Sequence, residues 1–206
     1  FIVMKTGSNP MISKLKLFFK WGINFNDTYK LTEREKEKIK YSSKNELKQE
    51  ILKLYTQYEP LSKGQSAPLS SMKDTNGKNY SFADFRGKVI IVDVWATWCC
   101  SCIEKMPKFM QLKDEFKQYK DILFLTISID RKSDQDKWLK AIKENNMTGM
   151  LNLISAPSAN SHFETEYQIN GVPRYFIIDK EGKIVTVFAP GPGKEMKALI
   201  QNTLKQ

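Results

Sequence analysis

The sequence predicts an α/β fold: a central mixed β-sheet flanked by helices, with a helical extension at its N-terminal end. Three observations predict it. Two continuous, β-branched apolar runs, VIIVDVWA over 89–96 and ILFLTISID over 122–130, have the composition of strands buried on both faces. A segment of helical periodicity follows each of them. Two short β runs near the C-terminus, 175–179 and 183–188, are split by Glu181-Gly182 and read as a hairpin, which brings antiparallel strands into the sheet.

The elements follow in order. Residues 11–25 mix lysines with Leu15, Leu17, Phe18, Phe19 and Trp21. This stretch reads as packing on its own domain or a neighbour, with an anionic membrane surface as the alternative. Thr32 with Glu35 and Ser43 with Glu46 have capping-box spacing. Leu47, Ile51, Leu54, Tyr55 and Tyr58 then form one helical stripe, so 31–58 is expected to hold one or two helices. Pro60, Gly64 and Pro68 mark a boundary, dividing a basic extension over 1–60 from a domain over 65–206. Asn76-Gly77 is a hairpin turn signal. A helix is expected from Cys102 to about Tyr119, with Met106, Phe109, Met110, Leu112 and Phe116 on its apolar side. Ser133 is expected to cap a helix carrying Trp138, Leu139 and Ile142. A strand near 151–154, a short helix near 161–167 and a closing helix over 194–204 complete the order.

Composition sets limits on function. Apolar residues make up 41% and charged residues 27%, which is ordinary for a globular protein. The net charge of +10 is uneven: residues 1–65 hold 13 Lys and Arg against 7 Asp and Glu, the remainder 20 against 16. A bias of this kind draws a protein toward anionic surfaces or acidic partners, or serves as a solvated helix face. Without a recognition motif it does not argue for nucleic acid. No apolar run reaches the roughly 18 residues of a membrane span. The chain opens on Phe1, which reads as a processed or truncated start.

Chemistry concentrates at three cysteines, Cys99, Cys100 and Cys102, with none elsewhere. A disulfide-stapled scaffold would spread them along the chain. In WATWCCSC, Cys99 stands where a buried strand ends and a helix begins. The free N–H groups and positive potential of a helix start stabilise a thiolate. Two cysteines at C-x-x-C spacing can close a small disulfide there, the first open to attack and the second a turn deeper. A zinc site would require a second ligand pair.

VIIVDVWATWCCSC, GVPRYFIIDKEGKIV (171–185) and APLSSMKDTNGKNYSFADFRGK (67–88) together resemble the thioredoxin superfamily. Within it, the chain is most similar to the TlpA/ResA-type disulfide oxidoreductases of the bacterial cell envelope. The resemblance covers about 65–204 and implies a thioredoxin-like fold and a periplasmic or membrane-associated protein. It implies no cofactor; the partners would be disulfide-containing protein substrates and an upstream thiol electron donor. By the resemblance Cys99 attacks, Cys102 resolves, and Asp93 occupies the buried-acid position as a base for Cys102. Trp98 would shield the site with Trp95 packed beneath it. Pro173 matches the cis-proline that exposes the Val172 backbone for strand-like pairing with a substrate.

This chain departs from the pattern in three ways. Cys100-Ser101 replaces the usual Gly-Pro or Glu-Pro between the cysteines. Lys105 stands where the branch carries a glutamate, with Glu104 one residue earlier. Arg174 follows the cis-proline where thioredoxins usually have threonine, so its cation is expected to favour acidic partners or a thiolate. Cys100, Lys105 and Arg174 are therefore candidate modulators. The alternative function is a copper-binding chaperone using the cysteines and His162, the sole histidine. A peroxidase reading fails for want of a proline at position 93, and a pure binding module would not need the intact C-x-x-C pair.

Overall fold

The computed structural model describes residues 49, 52–53, 56–155 and 163–205. The helices expected over 31–58 fall largely outside these, although 49, 52–53 and 56–58 are helical. His162 also lies outside them.

One sheet of seven strands organises the chain. In chain order the elements are β1 (Met72–Asp74), β2 (Asn79–Tyr80), β3 (Val89–Trp95), α1 (Cys100–Glu115), β4 (Ile122–Ser128), α2 (Gln135–Glu144), β5 (Leu151–Ile154), α3 (Phe163–Glu166), β6 (Arg174–Ile178), β7 (Ile184–Thr186) and α4 (Lys194–Leu204). The strand order is β2-β1-β5-β4-β3-β6-β7. β3, β4 and β5 run parallel, while the pairs β1–β2, β1–β5, β3–β6 and β6–β7 are antiparallel.

The apolar run of β3 is continuous because both faces of that strand are covered. Val89, Ile91 and Trp95 pack under α1, α2 and α4, against Phe109, Trp138, Met196 and Ile200. Ile90, Val92 and Val94 point to the other face and meet Leu61, Phe82, Phe85, Phe163 and Tyr167. Parallel strands joined through helices place α1 and α2 on one face, as right-handed crossovers require.

Both edges of the sheet are protected. Residues 64–67 lie along β7: Gly64 N–H donates to Ile184 O at 2.8 Å, Ile184 N–H to Gln65 O at 2.8 Å and Ala67 N–H to Gly182 O at 3.0 Å. The opposite edge, β2, is two residues long and turns at Gly77, whose φ of 82° suits glycine. Asp74 Oδ1 holds this turn by accepting from the N–H groups of Asn76 and Lys78.

Two local expectations need correction. α1 starts at Cys100, directly after Cys99 as the strand-to-helix reading of WATWCCSC expects, but it ends at Glu115 rather than near Tyr119. Ser133 does not cap α2: it lies inside a 3₁₀ turn over Lys132–Asp134, and Asp134 is the N-cap residue. The short turn uses the backbone of 131–134 before the helix can begin, which moves the cap one residue onward.

Phe109 is fully buried, with its ring 5.5 Å from that of Phe124 and 6.1 Å from that of Tyr175. Phe109→Ala is expected to lower stability by about 3–5 kcal/mol, read as a lower urea midpoint with an unchanged slope.

Candidate active site

Cys99 stands at the carboxyl end of β3, where open α/β sheets place their ligand sites. The chain crosses from strand to helix in four residues, 96–99. Cys99 N–H donates to Ala96 O at 3.0 Å, and Ile129 N–H donates to Trp95 O at 2.9 Å. Asp130 holds the middle of the turn. Its carboxylate is 1% exposed and accepts from Thr97 N–H at 2.9 Å, from Thr97 Oγ1 at 2.8 Å and from Ser128 Oγ at 2.7 Å. Reading the sequence alone missed Asp130 and Thr97, because an aspartate just past a strand looks like any solvated loop acid.

Cys99 is the N-cap residue of α1, and its Sγ accepts the Cys102 N–H at 3.2 Å. Cys99 and Cys102 are joined by a disulfide, S–S 2.07 Å. Cys102 is fully buried and Cys99 nearly so, at 0% and 6% exposed. Cys100 is a free thiol facing solvent. Trp98 is 65% exposed at the mouth, while Trp95 is completely buried below.

Behind the disulfide, Asp93 is the one charged residue in β3. It alternates with Ile91 and Trp95 and so shares their face, the one that holds Cys102. Neither of its carboxylate oxygens has a hydrogen-bond partner among the described residues. Burial pushes its pKa up to about 8, opposed in part by the Lys105 cation. Register sets Tyr175 of β6 and Thr126 of β4 on either side of it. Burial and then the Asp93 charge hold the Tyr175 phenol far above its usual value, and its hydroxyl also lacks a partner among the described residues. Thr126 is committed elsewhere, donating to Asn152 Oδ1 at 2.9 Å.

The Val172–Pro173 bond is cis. Pairing of Val94 with Arg174 carries Pro173 to the level of Trp95, and both Val172 and Pro173 remain half-buried at the same end of the sheet. Arg174 itself turns away. Its partner Val94 belongs to the other core face, and Arg174 is 5% exposed, stacked 3.6 Å from the Phe188 ring centroid. Its guanidinium donates to Val187 O at 3.1 Å and Gln168 O at 3.3 Å. The expectation of a cation offered to thiolate or acidic partner is therefore corrected: strand alternation carries Arg174 to the far face, where it ties two loops together. Lys105 and Glu104 lie exposed on α1. Among the described residues no group of three or more His, Cys, Asp and Glu side chains could hold a metal ion, and His162 lies outside them.

The arrangement can carry out thiol–disulfide exchange: a closable cysteine pair, a helix start to hold a thiolate, and a buried acid. Comparison with known proteins agrees. The Redoxin family matches residues 62–202. The thiol-disulfide oxidoreductase ResA of Bacillus thuringiensis subsp. konkukian is 26% identical over 152 residues, 74% of this chain and 82% of that protein. The thioredoxin-like protein YneN of Bacillus subtilis is 27% identical over 60% of this chain and 69% of its own length. A crystal structure from Bacteroides vulgatus, assigned as a thiol-disulfide oxidoreductase, is 34% identical with a TM-score of 0.62, covering 70% of this chain and 98% of that one. The thioredoxin domain of another Bacteroides vulgatus thiol-disulfide oxidoreductase gives 27% and 0.59 over 69% and 97%. With its sheet, its cysteine pair and these relatives in agreement, the chain belongs to the Redoxin family, as a thiol–disulfide oxidoreductase of the TlpA/ResA type within the thioredoxin superfamily.

Proposed function

We propose that the protein reduces or exchanges disulfides of protein substrates through a Cys99/Cys102 couple, in the bacterial cell envelope. The observation that carries this reading is the Cys99–Cys102 disulfide at the end of β3, backed by the buried Asp93, whose carboxylate has no hydrogen-bond partner among the described residues. Residues 65–206 form the redox domain, and the basic 1–60 segment is an extension suited to a peripheral membrane contact or a partner. The extracytoplasmic placement is supported by the similarity to ResA. No helix among the described residues is long and apolar enough to cross a membrane.

In the reduced protein the Cys99 thiolate attacks one sulfur of a substrate disulfide. That S–S bond breaks, a mixed disulfide forms on Cys99, and the released substrate sulfur takes up a proton. Asp93 then accepts the Cys102 proton, and the Cys102 thiolate attacks Cys99 Sγ. The second substrate sulfur leaves as the Cys99–Cys102 bond closes, so two electrons have passed to the substrate. A thiol electron donor restores the dithiol. Trp98 and the Val172 backbone beside Pro173 hold the substrate chain, the latter by strand-like pairing.

Variants separate these roles. Cys99→Ser is expected to abolish insulin-disulfide reduction. Cys102→Ser should accumulate mixed disulfides visible by mass spectrometry, and Cys100→Ser should keep activity. Full activity in Cys99→Ser would overturn the assignment.

With a pKa of about 8, Asp93 is mostly protonated at neutral pH, so the fraction able to act as base rises through pH 8. The resolving rate should climb between pH 7 and 9. Asp93→Asn should remove that rise and slow resolution about 100-fold. Lys105→Gln should move its midpoint to higher pH, since the cation now lowers it. Rapid-quench alkylation at each pH measures all three.

Stability follows the same group with a definite sign. Folded Asp93 keeps its proton up to about pH 8, whereas the unfolded side chain loses it near pH 4. Between those values the folded state binds the extra proton, so stability falls as pH rises from about 4 to 8. Asp93→Asn should flatten that decline and raise the melting temperature most at pH 8 and above, measured by calorimetry on the oxidised protein.

A further inference from the structure

Cys99 Sγ occupies the place where a serine or aspartate oxygen ordinarily caps a helix, accepting the N–H of the third residue. That bond is present, from Cys102 N–H at 3.2 Å. A second group reaches the same sulfur: Ser101 Oγ, from the second residue of α1, lies 3.5 Å away. Cys99 is in a disulfide and carries no S–H, so the proton between the two atoms belongs to the serine. The hydroxyl is the donor.

We propose that Ser101 is a further catalytic residue, whose hydroxyl donates to Cys99 Sγ and stabilises the thiolate formed when the disulfide opens. The proposal rests on Cys99 being the attacking cysteine, and it gives the unusual Cys100-Ser101 pair a direction of effect. A hydrogen bond to a charged acceptor is stronger than one to a neutral acceptor. Ser101 therefore favours the thiolate over the neutral disulfide sulfur. Reduction takes two electrons and two protons in total; with the hydroxyl in place, the proton on Cys99 is held less tightly and the dithiol state is favoured. Cys99 also becomes a better leaving group whenever a thiol attacks the substrate sulfur of its mixed disulfide. Ser101 faces solvent, so water competes and the effect stays modest.

The test uses the full chain in a Cys100→Ser background, so that only the redox pair reacts. Cys99 alkylation by iodoacetamide is followed against pH by mass spectrometry, and the dithiol–disulfide equilibrium is measured in glutathione buffers. Ser101→Ala should raise the pH midpoint of Cys99 alkylation by about half to one unit and shift the equilibrium toward the disulfide about three- to tenfold. Ser101→Thr, which keeps a hydroxyl, should stay near the parent in both. An unchanged midpoint and equilibrium in Ser101→Ala overturns the proposal, as does an equal shift in Ser101→Thr, which would assign the effect to the helix start. Alkylation of Cys102 ahead of Cys99 in the parent overturns the reading of Cys99 as nucleophile, and the proposal with it. Thermal melts of the oxidised variants accompany these measurements, because a merely structural role for Ser101 would move melting and leave the alkylation midpoint in place.

Discussion

Between the last residue of β3 and the first of α1 the chain must leave a strand buried on both faces and enter a helix within four residues. Thr97 in that turn is half-buried, so its polar groups gain from partners within the protein. Asp130 meets the need by taking the Thr97 N–H and hydroxyl together. The rest of the site depends on this anchor. It sets where Cys99 begins the helix, and so which N–H groups its sulfur faces. A carboxylate just past the neighbouring parallel strand thus holds the mouth of the site without entering it.

A second consequence of the sheet is the division of labour between its faces. The face under α1 carries Cys102, Asp93 and Tyr175, the groups whose protonation matters. The opposite face is closed by aromatic packing: the Tyr167 ring lies 5.0 Å from both Phe163 and Phe176, and Phe82 meets it edge-on at 5.6 Å. Arg174 joins that second face through Phe188. One strand thereby separates a reactive layer from a rigid backing, and a single step in register would exchange them.

What could be read from the sequence was what local pattern encodes. β3 and β4 showed themselves as unbroken β-branched runs, the Asn76-Gly77 turn by its dipeptide, and the cysteine pair by its spacing at a strand end. What could not be read depends on register or on distant pairing. Nothing local says that Tyr175 stands opposite Asp93, because that follows from how β6 aligns with β3. The same alignment decides that Arg174 faces the far side of the sheet. Asp130 was hidden because its partner Thr97 is 33 residues away, on the other side of a helix. The start of α2 shifted by one residue because a 3₁₀ turn and an α-helix draw on the same capping residues.

The guarded sheet edges have a meaning of their own. An enzyme that handles disulfides meets chains that are partly unfolded, and such chains pair readily with any open strand. Here β7 is already occupied by residues 64–67, and β2 offers two residues before it turns away. In the proposed reaction the backbone at Val172 is the place where a visiting chain pairs. A protein built this way can hold an aggregation-prone client at one short stretch of main chain and let go of it again, without becoming the seed on which its clients assemble.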